Sequence, residues 1–255
     1  FGFGVEDSQT FPAVMGTINP NFEVFNLGIP AYGVDQITLL LQEFGLAHRP
    51  DFIFICLYPE VFWRALRAFN DGGYGKPYYT VEPDGKLKLN HVPVSPSRRQ
   101  FQVSQFPGIV RLNFFQRTLH SSALYRLGRM AWMKILKKLG HEDPDTSLEW
   151  LLGRKILKNT VEELKSKSIP AAIVLIPPQR WVTGTDEPLR QSLIRFGKRA
   201  DIDVIDLTPV FQEASAKDGA GHYYIPYVPH WTPAGHTLTP QVLTDYLQKT
   251  KKHLY

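Results

Sequence analysis

Two histidines near the C-terminus lie in the segment His230–His236, whose sequence is HWTPAGH and which precedes a predicted helix. A histidine where a loop meets a helix can present its imidazole to a pocket, and its ordinary pKa suits proton transfer near neutral pH. The proline and the glycine of the segment favour a turn and a helix start. The segment alone does not decide between a histidine that transfers protons and a histidine that is hydrogen-bonded at a helix start.

The elements that must position this histidine alternate along the chain. Strands are predicted at Phe22–Leu27, Asp51–Leu57, Ala171–Ile176 and Asp203–Leu207, and helices at Val34–Phe44, Ser147–Lys167, Glu187–Arg199 and Pro233–Lys249. Alternating strands and helices favour an α/β fold with a parallel sheet and helices on both faces. Ligands bind at the C-terminal ends of the strands in such folds.

Residues 70–145 interrupt this alternation with Gly- and Pro-rich loops and an amphipathic helix at Leu119–Leu139. The segment is predicted to be an insert or cap within a single domain that spans residues 1–255. Its helix is predicted to pack on the sheet with a solvated basic face, and a membrane-surface helix is the alternative.

Composition excludes several classes of partner and site. The net charge is +5, but Lys and Arg form no long basic block, so no nucleic-acid partner is expected. The single cysteine, Cys56, excludes an intrachain disulfide and a cysteine-based metal site. No run of 18 apolar residues is present, so no membrane-spanning segment is predicted. The composition does not decide between the cytoplasm and an extracytoplasmic compartment such as a periplasm.

Four segments occur in an order that is typical of one enzyme superfamily. They are FGFGVED at Phe1–Asp7, NLGIPAYG at Asn26–Gly33, the strand that ends in Leu57-Tyr58-Pro59, and HWTPAGH at His230–His236. Together they resemble the SGNH (GDSL-like) hydrolase superfamily, in its bacterial branch with a large mid-chain insert. This branch includes relatives of polysaccharide O-acetyltransferases. The resemblance covers nearly the whole chain and implies a three-layer α/β/α, flavodoxin-like fold.

The chemistry that this resemblance implies is acyl transfer or ester hydrolysis by a Ser–His–Asp arrangement. This chemistry needs no metal or organic cofactor, and none is expected. His230 matches the general base, the backbone N–H of Ala31 matches an oxyanion-hole donor, and His236 matches a structural position. The nucleophilic serine is expected a few residues upstream of Phe1. Because the chain begins without Met, we expect it to be a fragment or a processed product. Ser8 follows the motif and is not expected to be the nucleophile.

Two positions depart from the family pattern. The oxyanion-hole asparagine falls on Glu60 or Val61, and the acid expected three residues before the histidine is replaced by Tyr227. Other acids that could orient His230 are Glu60, Asp206 and Asp218. The residues predicted to line the pocket are Tyr32, Glu60, Gln179, Arg180 and Trp231.

The sequence thus favours a hydrolase or O-acyltransferase that acts on acyl or acetyl esters, with carbohydrate esters as the expected substrates. The alternative is a catalytically degraded domain of the same type that binds a glycan or a protein. A nucleotide-binding protein is disfavoured, because Gly2 and Gly4 are not followed by the third glycine of the dinucleotide-binding motif.

Overall fold

The computed structural model describes residues 2–70, 72–94, 147–184, 188–228 and 230–250. The chain divides into two compact units. The first unit consists of Phe1–Pro30, Leu40–Pro59 and Val161–Tyr255. The second unit consists of Ala31–Leu39 and Glu60–Thr160. The predicted helix at Leu119–Leu139 lies outside the described residues, and the single domain with an insert at 70–145 stays a prediction.

Helices and strands alternate through most of the described chain, as the sequence predicts. The strands are β1 (Ile53–Leu57), β2 (Tyr78–Val81), β3 (Leu87–Asn90), β4 (Ala171–Leu175) and β5 (Asp203–Asp206). The α-helices are α1 (Phe11–Ile18), α2 (Val34–Glu43), α3 (Glu60–Ala65), α4 (Leu148–Ser166), α5 (Gln179–Thr183), α6 (Pro188–Ala200), α7 (Thr208–Asp218), α8 (Ala220–Tyr223) and α9 (Pro233–Thr250). Short 3-10 helices lie at Asp7–Gln9 and Gly45–His48.

A parallel sheet in the order β1-β4-β5 forms the centre of the first unit. The central strand is β4. On one side its Ala171 pairs with Ile53 of β1, and on the other side its Leu175 pairs with Asp206 of β5. The sequence AAIVL of β4 is apolar on both faces, as expected for a parallel strand covered on both sides. Two prolines after Ile176 end the strand, because proline has no N–H to give to the ladder. The α/β class and the parallel sheet are therefore confirmed.

The core of the first unit is aromatic on the side of the sheet that faces α7 and α9. Phe211 and Leu207 are fully buried, and Tyr224 is 1 % exposed. The rings of Phe211 and Trp231 stack with their centroids 4.5 Å apart. Burial also raises the pKa of the Cys56 thiol in β1 to about 12, so the thiol is protonated at neutral pH.

The second unit has its own apolar packing and a small antiparallel hairpin made of β2 and β3. Phe62 of α3 packs edge-on against Trp150 of α4, with ring centroids 5.4 Å apart, and both side chains are 1 % exposed. A Cβ at Gly153 would lie 2.3 Å from the Phe62 ring, so this glycine lets the aromatic ring approach the helix backbone.

The predicted strand at Phe22–Leu27 is wrong, because these residues are irregular in structure. Phe22 and Val24 pack against the core of the first unit, whereas Phe25 and Leu27 are exposed. A strand needs a neighbour that accepts and donates its backbone hydrogen bonds. Within the described part of the chain, no strand pairs with this segment. None of the described helices has the length and the apolar sequence that a membrane-spanning segment needs.

Candidate functional site

His230 lies in a turn between α8 and α9, which we call the His230 turn (residues 224–228 and 230–231). Tyr224 and Trp231 form an antiparallel bridge, and the Ile225 N–H donates to the His230 carbonyl at 2.9 Å. The Tyr224 hydroxyl donates to the Pro177 carbonyl at 2.9 Å, just beyond the C-terminal end of β4. The turn is thus attached at the edge of the sheet where a parallel α/β fold binds ligands.

The N-terminal segment packs against the same turn. The rings of Phe3 and His230 lie 4.8 Å apart between centroids, at an interplanar angle of 32°. Gly4 has a φ of 80°, and a Cβ added there would lie 2.7 Å from the Ile225 side chain. Glycine tolerates this left-handed conformation and leaves room for the close contact. Phe3 and Gly4 are therefore held beside the histidine that the sequence singles out.

His236 has a structural position at the start of α9. It is 5 % exposed, and its Nδ1 accepts the Phe11 N–H at 3.3 Å. Its ring also stacks on the Phe11 ring, with centroids 6.2 Å apart. Burial lowers its pKa from 6.5 to about 4, and the nearby His230 contributes in the same direction. His236 is thus a neutral hydrogen-bond acceptor at neutral pH.

The other predicted pocket residues of the first unit differ in exposure. Gln179 and Arg180 form the exposed first turn of α5, directly after β4. Trp231, next to His230, is 5 % exposed and packs in the core against Phe211. His230 itself is half-buried, so it is more accessible to solvent than its neighbour Trp231.

The acids in this unit that could orient His230 have other partners. Arg190 forms an ion pair with Asp206 at 2.6 Å, and the other oxygen of that carboxylate accepts the Thr208 N–H. Asp218 accepts a hydrogen bond from the Tyr223 hydroxyl at 2.5 Å. Tyr227, at the position of the expected acid, has a fully exposed side chain and a φ of 64°.

Ala31, the predicted oxyanion donor, lies in the second unit, in what we call the Ala31 turn (residues 31–33). Its φ is 62°, a left-handed conformation that favours glycine. Tyr32 is half-buried beside it.

The Ala31 turn fits tightly against its neighbours. A Cβ at Gly33 would lie 2.5 Å from Asp35 Oδ1 and 2.8 Å from the Ala65 backbone nitrogen. Gly33 therefore packs directly on the end of α3, the helix that begins at Glu60. Glu60 itself is half-buried, and Val61, the other residue at the position of the expected asparagine, is 5 % exposed.

A buried ion pair that the sequence interpretation missed lies behind this turn. The Lys76 Nζ donates to Asp35 Oδ2, and the two side chains are 3 % and 0 % exposed. Burial raises the pKa of Asp35 and lowers that of Lys76, and the attraction between them opposes both changes. Removing one partner of such a pair leaves a buried charge and typically costs about 3–5 kcal/mol.

Within the described ranges, no three His, Cys, Asp or Glu side chains are grouped so that they could hold a metal ion. Searches of protein-family models, curated proteins and solved structures found no match to this chain.

Proposed function

We propose that this protein is an ester hydrolase or O-acyltransferase of SGNH type, with a three-layer α/β/α core and an inserted cap. Its proposed substrates are acyl or acetyl esters, with carbohydrate esters as the chemical class. The observation that carries the proposal is the packing of Phe3 on His230. In the family pattern, the residues matched by Phe1–Val5 directly follow the nucleophilic serine, so this packing would bring the serine close to its base.

The proposed reaction has two steps that share one proton relay. The serine Oγ, expected upstream of Phe1, bonds to the acyl carbon while His230 accepts the hydroxyl proton. The bond to the leaving alcohol then breaks, and His230 returns the proton to the leaving oxygen. Water, or a sugar hydroxyl in the transfer reaction, then attacks the acyl carbon while His230 accepts its proton. The bond to the serine Oγ breaks, and His230 returns the proton to that oxygen. The N–H of Ala31 is the proposed donor to the oxyanion.

A second candidate is a glycan-binding or protein-binding domain that has lost catalysis. It is favoured by Tyr227, which replaces the expected acid and points into solvent. The engagement of Asp206 by Arg190 and of Asp218 by Tyr223 favours it as well. A Ser–His dyad without an acid would still transfer protons, and this is the form that the enzymatic proposal takes.

A serine-directed fluorophosphonate distinguishes the two candidates. The full-length natural protein is incubated with the probe, the modified residue is mapped by mass spectrometry, and turnover of p-nitrophenyl acetate and of an acetylated oligosaccharide is measured. We expect covalent labelling of one serine and ester turnover that the probe abolishes. Absence of both, together with binding of the oligosaccharide in calorimetry, would replace the enzyme with the binding domain.

A further inference from the structure

The ion pair of Asp35 and Lys76 is buried, although neither residue has a chemical role in the proposed reaction. Lys76 is fixed along its length within the second unit. Its Nζ also donates to the Pro77 carbonyl at 3.2 Å, and its backbone N–H donates to the Ala68 carbonyl at 2.9 Å. Its own carbonyl accepts a hydrogen bond from His91 Nδ1 at 3.1 Å. The ammonium group is therefore a fixed anchor rather than a flexible surface charge.

Asp35 connects the ammonium group of Lys76 to the Ala31 turn. Its Oδ1 accepts the Gln36 N–H at 2.9 Å, and the Gln36 side chain in turn accepts the Gly33 N–H at 3.4 Å. The same Oδ1 lies where a side chain on Gly33 would have to go. One carboxylate thus contacts the ammonium group with one oxygen and borders the turn with the other.

The Ala31 turn needs such support because its first residue is in an unfavourable conformation. Ala31 has a φ of 62°, and non-glycine residues keep such angles only when the surrounding structure over-determines them. A buried ion pair is weak evidence for stability, since well-packed apolar residues often replace one without loss. A directional role explains the pair better than a stabilising one.

We propose that Asp35 and Lys76 are positioning residues that hold the backbone N–H of Ala31 in the orientation required to donate to the oxyanion. This inference rests on the proposed function. It assigns a role in the reaction to two residues that do not touch the reacting atoms.

The test uses Lys76→Met, Asp35→Asn and the double variant in the full-length natural protein. Lys86→Met is the matched control, because Lys86 pairs with Asp84 at 3.1 Å on the surface, where the two side chains are 84 % and 54 % exposed. The measurements are the melting temperature, amide hydrogen exchange of the peptide that covers residues 31–33, and kcat and KM for p-nitrophenyl acetate.

We expect each single variant to lower the melting temperature by about 10 °C, because one charge stays buried alone. The double variant should regain at least about half of that loss, since it carries no unpaired buried charge. Its Ala31 turn should nevertheless exchange about tenfold faster than in the wild type. Its kcat should be about 100-fold lower with little change in KM, as expected for a misplaced catalytic donor. The control should match the wild type throughout.

A double variant that regains wild-type exchange and kcat along with its melting temperature would show that the pair is only structural, and would overturn the inference. If the wild type turns over no ester, the proposed function fails and the positioning role in catalysis fails with it. The exchange rates of the double variant would then still show whether the pair holds the turn.

Discussion

The His230 turn and the Ala31 turn are held in place by different kinds of interaction. Trp231 stacks on Phe211, and Tyr224 reaches the end of β4, so the His230 turn rests on the apolar core of the first unit. The Ala31 turn is bordered by a buried ion pair in the second unit. Apolar packing is strong but not directional, whereas a charge-assisted hydrogen bond fixes an orientation. The two candidate turns therefore differ in the physical origin of their support.

We expect the largest loss of stability from a substitution that removes the apolar support of the His230 turn. Phe211→Ala should lower the free energy of unfolding by about 3–5 kcal/mol, because Phe211 is fully buried under Trp231. Urea unfolding followed by circular dichroism measures the change. Phe44→Ala is the control, since Phe44 is 59 % exposed and its loss should cost no more than about 0.5 kcal/mol. Similar losses in the two variants would show that the stack does not carry the turn.

The Ala31 turn is sensitive to added side-chain volume, because Gly33 packs closely against its neighbours. Gly33→Ala should cost about 2–3 kcal/mol, because its Cβ would meet the Ala65 backbone, which cannot move aside like a side chain. Gly221→Ala is the matched control, since nothing lies within 4 Å of its added Cβ. Denaturant unfolding of both variants measures the difference. A harmless Gly33→Ala substitution would contradict the tight fit of the turn.

The acid dependence of stability tests the neutral histidine near the His230 turn. The pKa of His236 is about 4 in the folded protein and 6.5, its ordinary value, in the unfolded chain. Between these two pH values, the unfolded state therefore binds more protons than the folded state. Stability should therefore fall by about 2 kcal/mol as the pH falls from 6.5 to 4, a figure that allows for solvent screening. His236→Asn keeps an acceptor near Phe11 but does not titrate.

Unfolding at several pH values should thus show a weaker pH dependence for His236→Asn than for the wild type. His222→Asn, at an exposed position, should keep the wild-type dependence. Parallel curves for the wild type and His236→Asn would mean that the buried imidazole does not limit stability in acid.

The smallest expected effect concerns a feature that both turns share, one non-glycine residue with positive φ. Ala31→Gly and Tyr227→Gly should each raise stability by about 0.5 kcal/mol, because relief of the left-handed strain exceeds the entropy cost of glycine. Ala13→Gly, inside α1 and exposed, should instead lower stability by about 1 kcal/mol. If all three variants lose stability equally, the two angles carry no strain.

The sequence predicts the parts of the fold that depend on local pattern. The apolar sequences of β1 and β4, with the shorter apolar pair Val204-Ile205 in β5, predict the parallel sheet, because strands covered on both faces are mainly apolar. The pattern fails at Phe22–Leu27, where strand-forming residues have no partner among the described strands. The residue types of a segment indicate its tendency to form a strand, but they do not show whether a second strand lies beside it.

The candidate residues show the same limit. The motif HWTPAGH draws attention to His230 as a candidate base, but it does not reveal that the neighbouring Trp231 packs in the core. Asp35 and Lys76 are 41 residues apart in a helix start and a loop, and no periodicity connects them. A lysine in a Gly-rich loop normally predicts a solvated charge. Only the folded chain shows that this one is buried.

The measurement that tests the central claim most directly is kcat/KM for p-nitrophenyl acetate in the full-length natural protein and its His230→Asn variant. Loss of a general base that accepts the nucleophile's proton should lower this value by about 100- to 10,000-fold. His222→Asn should leave it unchanged, because His222 lies exposed at the end of α8. An unchanged kcat/KM in His230→Asn would contradict the role of His230 as the base.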